Sequence, residues 1–180
     1  MSFFSRSVLR TEQDDVTPYM APLMDLLLAV DYRGWTSTNR KDWVYRKWVH
    51  LLEPRGERIR VQAVIDGRAM QNTMCATKWQ TQRHHLSGLH PSKVTLCVAD
   101  NRQIASKGTW TGTIDVAGTE TTQSCEVFES NSAFQVILGK PWLCSMQAIH
   151  KYDTDEITIQ VQGQTTTITN EEDADPREMA

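Results

Sequence analysis

The chain has no long hydrophobic run. Its longest apolar stretch, Leu26-Leu27-Leu28-Ala29-Val30, falls far short of the ~20 residues a helix needs to cross a bilayer, so no membrane partner is expected. Cysteine is sparse: Cys75, Cys97, Cys125 and Cys144 are scattered, without a Cys-x-x-Cys pair. That excludes a disulfide framework and predicts reduced thiols in or near the core of an intracellular protein, cytoplasmic or nuclear, with no secretory signal. An excess of one charge sign is also missing. The net charge of −3 and a pI near 5.9 give no global attraction to nucleic acid or anionic lipid. Gly-x-Ser-x-Gly, His-Glu-x-x-His and Walker motifs are absent, which sets aside serine hydrolases, zinc proteases and nucleotide hydrolases. His84, His85 and His90 lack ligand spacing relative to Cys75 or Cys97, so neither metal nor cofactor is expected.

What is present suits one compact domain with extensions: 180 residues, 39% of them hydrophobic. Thr17-Pro18 and Pro22 introduce a short helix through Val30, and residues 1–40 form an N-terminal extension to a domain over 41–170. From Lys41 to Leu52, Trp43, Tyr45 and Val49 alternate with Val44, Trp48 and His50, which predicts a strand. A turn at Glu53-Pro54-Arg55-Gly56 leads to a second strand, Arg58 to Ile65, with Ile59, Val61, Ala63 and Ile65 on one face. Asn72 or Thr73 is a candidate cap for a helix carrying Met74, Cys75, Trp79 and Leu86 as far as Gly88. Short strands then follow: Val94–Val98, Gln103–Ser106, Gly108–Val116, Ser124–Phe128, Phe134–Leu138, Glu156–Val161 and Thr165–Thr169. Pro141 opens a second small helix reaching about Met146. The reading is mainly β with two short helices, and residues 171–180 form an acidic disordered tail. Trp79, Trp110 and Trp142 are expected in the core.

Residues 33–60 carry eight Lys or Arg against Asp42, Glu53 and Glu57. Arg40, Lys41, Arg46, Lys47, Arg58 and Arg60, interleaved with Trp43 and Trp48, could contact single-stranded nucleic acid. The alternation is more economically one solvated and one buried strand face, and nucleic acid is not the expected partner.

Two strings carry the functional reading. Val64-Ile65-Asp66-Gly67-Arg68-Ala69-Met70 places an aspartate where an apolar strand meets a tight turn, and Val136-Ile137-Leu138-Gly139-Lys140-Pro141-Trp142-Leu143 is an apolar strand stopped by glycine before a helix. Together they resemble the two halves of a retropepsin-like aspartic protease core. Ile137 to Leu143 with Ala148-Ile149-His150 is especially similar to the domain in gypsy-type fungal retrotransposon polyproteins. The resemblance runs from about Val44 to Val161 and implies a closed β-barrel. Val98-Ala99-Asp100-Asn101 resembles the family's flap hairpin, so these residues, with Ala69, would bind substrate. Leu138 and Gly139 would support the site from behind, with Gly67 and Arg68 beside the catalytic Asp66. The implied partners are a second copy of the chain and a peptide or polyprotein substrate.

Aspartic proteases use two facing carboxylates sharing one proton, because like charges ~3 Å apart do not both ionise. Only Asp66 stands in a suitable strand-to-turn setting, so an enzyme would be a homodimer contributing Asp66 twice. The family reads Asp-Ser/Thr-Gly-Ala where this chain reads Asp66-Gly67-Arg68-Ala69. Gly67 removes a hydroxyl that ties the two loops together, a hydrogen bond worth ~1 kcal/mol net. Arg68 replaces a glycine with permissive backbone angles that admits the backbone amide to the carboxylate. Its guanidinium would favour the ionised carboxylate over a shared proton. The alternative to an endopeptidase is therefore an inactive barrel kept as a dimerisation or peptide-binding module.

Overall fold

The computed structural model describes residues 44–52, 54–97 and 103–171. The helix expected before Val30, the whole of the extension over residues 1–40, the flap residues Val98, Ala99, Asp100 and Asn101, and residues 172–180 lie outside the described residues.

Strands β1 (Tyr45–Leu52) and β2 (Arg58–Ile65) form the expected antiparallel hairpin, pairing Tyr45 with Ile65 and Leu52 with Arg58. The chain continues through β3 (Thr73–Cys75), α1 (Ala76–Gln82), β4 (Thr95–Cys97), β5 (Gln103–Ala105), β6 (Thr109–Val116), β7 (Thr119–Phe128), β8 (Val136–Leu138), α2 (Lys140–Ser145), β9 (Ile149–Lys151), β10 (Glu156–Val161) and β11 (Gln164–Thr169). Six strands close a barrel in the order β1-β2-β8-β3-β7-β6, and β6 returns to β1 through Leu51–Ile114. The fold is mainly β with two short helices among the described residues. It matches a retropepsin-like topology.

The site depends on β8. It lies parallel to β2 and antiparallel to β3, so a strand late in the chain is inserted between two early ones. Burial on both faces explains its unbroken apolar sequence. Val136 and Leu138 join the large core cluster with Val61, Ala63, Ile65 and Trp142, whereas Ile137 joins a second cluster with Val64, Ala69, Leu96 and Phe128. Trp142 at the start of α2 is completely buried, which anchors that helix by roughly 2–3 kcal/mol of apolar transfer.

Several expectations shift. The helix expected from Asn72 or Thr73 begins only at Ala76, because Thr73 to Cys75 are captured as β3 by β7 on one side and β8 on the other. Ladder bonds and burial at all three residues outweigh their local helical spacing. Strand β7 starts at Thr119 rather than Ser124. Its polar first half is half of a hairpin with β6, turning at Ala117-Gly118. Cys75 and Cys125 are buried free thiols, but Cys144 is exposed. Trp110 is buried and Trp79 packs partly against the core.

Strands β9, β10 and β11 form a separate sheet, order β11-β10-β9, whose Ile157, Ile159 and Ile168 reach the main core. Glu171, placed at the start of the tail by sequence, is bound to β1. Its N–H donates to the Arg46 carbonyl at 2.9 Å, and its carboxylate accepts from the Trp48 N–H at 2.8 Å and pairs with Lys47.

Candidate active site

Asp66 follows the last residue of β2 and is only 7% exposed. Its backbone N–H donates to the Leu138 carbonyl at 3.0 Å, extending the β2–β8 pairing by one bond and fixing the aspartate to the inserted strand. Its carbonyl accepts from the Ala69 N–H at 3.1 Å, which closes a turn over Gly67 and Arg68. On the side chain, Oδ1 accepts the Arg68 backbone N–H at 2.9 Å and stands 3.5 Å from the Arg68 Nε. Oδ2 is buried and has no hydrogen-bond partner among the described residues. A buried carboxylate oxygen without a protein donor is costly, by roughly 1–3 kcal/mol.

Gly139 holds the loop from behind. A Cβ there would lie 2.5 Å from the Ala69 carbonyl oxygen and 2.6 Å from that of Gln71, so only glycine lets β8 pass this close to the turn. The next residue uses the same contact, as the Lys140 N–H donates to the Ala69 carbonyl at 2.8 Å. The Gly139 N–H donates to Asn72 Oδ1 at 2.9 Å, and the Asn72 Nδ2 reaches Gln123 Oε1 and the Ser124 carbonyl on β7. Asn72 is thus a buried brace between the turn, β8 and β7. In the sequence it offers only the look of a helix cap, and the sole local signal is an amide beside an apolar run.

Two expectations about the altered motif change. Arg68 has an ordinary negative φ, so the backbone freedom of glycine is not required here, and its amide reaches the carboxylate despite the side chain. The guanidinium leaves the core, with 57% of the Arg68 side chain in solvent. Gly67 is exposed, and a Cβ there would meet only Leu143 Cδ1 at 3.8 Å, leaving room for the hydroxyl residue the resemblance implies.

The structure brings Asp66, Gly67, Arg68, Ala69, Leu138 and Gly139 together in one loop-and-strand contact. Ala69 shares a buried cluster with Leu96 of β4, with Ile104 of β5 packed against it. The antiparallel β4–β5 pair therefore roots beside the site. Among the described residues, no group of three His, Cys, Asp or Glu side chains could hold a metal ion. The basic residues of β1 and β2 have local partners: Lys47 with Glu171, Arg58 with Asp115 at 2.5 Å, Arg60 over the Trp48 ring at 4.5 Å, and Arg46 with Gln62 at 3.3 Å.

No protein-family model matches the chain, and no curated protein does. Among solved structures it is similar to the retroviral protease-like domain of Ddi1 from Leishmania major, with a TM-score of 0.51 and 16% identity over 74% of this chain and 99% of that one. A weaker likeness is to the Legionella pneumophila protein Lpg0085 of unknown function, at a TM-score of 0.33 and 11% identity over 57% of this chain and 85% of that one. The first shows a retropepsin-like fold. Among the described residues no helix is long and apolar enough to cross a membrane.

Proposed function

We propose that the chain is an aspartic-type endopeptidase of retroelement origin, cleaving peptide or polyprotein substrates as a homodimer. Asp66 from each subunit forms the dyad. The ionised carboxylate takes a proton from water as it attacks the scissile carbonyl carbon, and the protonated one donates to the carbonyl oxygen. The tetrahedral intermediate then collapses as the amine leaves with a proton. The observation that carries this reading is the buried, strand-anchored Asp66 whose Oδ2 lacks a donor. Val98, Ala99, Asp100 and Asn101 are assigned as the flap over substrate, a reading supported by the arms β4 and β5 rooted near Ala69. Dimerisation is supported by β9, an edge strand with Ile149 57% and nearby Tyr152 73% exposed. Retroelement origin rests on the sequence likeness of Ile137 to Leu143 and Ala148 to His150. A reducing intracellular location accords with the free thiols.

A second reading, an inactive dimerisation or peptide-binding module, is favoured by the Arg68 guanidinium on Asp66 Oδ1 and by the missing hydroxyl at Gly67. Digestion of an unfolded protein at mildly acidic pH decides between them. For the enzyme, cleavage is blocked by a statine-type inhibitor and falls at least about 100-fold in Asp66→Asn. Cleavage that survives Asp66→Asn removes the reading, and so does a strict monomer at micromolar concentration by sedimentation. A dimer that cleaves nothing until Arg68→Gly is introduced establishes the module.

A further inference from the structure

We propose that Asn170 and Glu171 form a strap that stands in for a strand along β1 and keeps that edge closed to β1 of a second copy of the chain. This role does not depend on Asp66. β1 is an inner strand for only part of its length: β2 pairs with it from Tyr45 to Leu52 on one side, whereas β6 pairs on the other only with His50, Leu51 and Leu52. After Val116 the chain turns through Ala117-Gly118 into β7, so no strand among the described residues follows this edge from Val49 back to Val44.

The strap takes over where β6 leaves. Asn170 Nδ2 donates to the Val44 carbonyl at 3.3 Å, and Asn170 Oδ1 accepts the Arg46 N–H at 2.9 Å. The Glu171 N–H donates to the Arg46 carbonyl at 2.9 Å, and a Glu171 carboxylate oxygen accepts the Trp48 N–H at 2.8 Å. Val44, Arg46 and Trp48 alternate along the strand, so these main-chain groups share one edge, the edge that faces β6 at His50 and Leu52. Bare amides and carbonyls there would be a template for another strand, and the strap's side chains, with one amide, copy the pattern a strand would present. Its position is fixed from both sides. The other Glu171 oxygen pairs with Lys47, Asn170 Nδ2 also donates to Asp155 Oδ2 at 2.8 Å just before β10, and Tyr45 Oη donates to the Ile168 carbonyl at 2.7 Å. A second copy fits the edge because two antiparallel β1 strands about a twofold axis present the same groups to each other. Arg46 and Lys47 of the two strands oppose that pairing by like charge, so it strengthens as salt screens them.

Hydrogen exchange and sedimentation of the full chain test this role, with Asn170→Ala/Glu171→Ala as the open variant. The Arg46 and Trp48 amides should exchange at least about tenfold faster than in the wild type, while those of Lys47 and Val49, which face β2, change little. At micromolar concentration in high salt the open variant should reach about twice the wild-type mass. Adding Arg46→Pro removes the main-chain donor on that edge and should return the mass to the wild-type value. Glu171→Gln keeps an acceptor for the Trp48 N–H and should leave the mass unchanged. If the open variant does not fold, Glu171→Ala alone, with the Asn170 bonds intact, carries the same expectations for Trp48 exchange and for mass. Unchanged exchange at Trp48, unchanged mass once the strap is removed, or association that survives Arg46→Pro each overturns the proposal.

Discussion

Two buried aspartates stand at tight turns in this barrel, and their surroundings differ. Asp115, near the end of β6, is 4% exposed and satisfied at both oxygens: Oδ1 accepts the Gly118 N–H at 2.8 Å, and Oδ2 takes the Arg58 guanidinium at 2.5 Å. Asp66, at the end of β2, is 7% exposed and satisfied at one oxygen only. Both sit beside an arginine and both belong to turns containing glycine. A carboxylate bonded at both oxygens holds its turn together, whereas one bonded at a single oxygen leaves a buried acceptor that costs stability. The contrast distinguishes architecture from a candidate for chemistry more sharply than burial alone.

The largest effect expected is at the glycine behind the Asp66 turn. Gly139→Ala forces a Cβ against two backbone oxygens that cannot move without displacing the turn, and should cost about 3 kcal/mol or abolish folding, as read by urea denaturation. Next comes the aspartate pair itself. Asp115→Ala should cost about 2 kcal/mol by stranding the Gly118 N–H and the Arg58 contact, while Asp66→Asn should change stability by less than about 1 kcal/mol. Equal losses at the two positions would erase the distinction drawn above.

The β6–β7 side also carries an alkaline liability. Burial pushes the Cys125 thiol from its usual 9.0 up to about 12, with Glu126 adding to the rise. Its neutral form is favoured in the folded state, so its contribution is intact below pH 9 and declines as pH rises toward 12. Thermal melts across that range should flatten in Cys125→Ala. Smaller still is Gly67→Ser, expected to alter stability by no more than about 0.5 kcal/mol, since the new side chain meets only Leu143. Any rise in proteolysis there would show that the hydroxyl, rather than Arg68, limits the site. The smallest effect is Ala117→Asn in the β6–β7 turn, where Ala117 has φ 51° and Gly118 φ 83°; asparagine tolerates that region, and a gain of about 0.5 kcal/mol in chemical denaturation is expected.

The elements written in the period of the sequence were those whose neighbours are also near in the chain. β1 and β2 alternate cleanly because each pairs with the other across a short turn, and Pro141 marks α2 through its fixed backbone angle. Asp66 and the Leu138-Gly139 string could be named as candidates, and the structure places them in contact. β3 could not be seen: its three residues are held by two strands from the far half of the chain, and their spacing alone suits a helix. Asn72 escaped for the same reason, since its role depends on Gly139 and Gln123 rather than on anything beside it. Strands β10 and β11 were legible, but not the layer separate from the barrel that they form with β9.

Because β8 threads between β2 and β3, the aspartate's main-chain anchor is synthesised long after the aspartate itself. A chain emerging from the ribosome can form the first hairpin early, yet the bond from the Asp66 N–H to the Leu138 carbonyl forms only after β8 has been made. Whatever chemistry this loop performs is timed by translation: it begins only when nearly all of the barrel has been made.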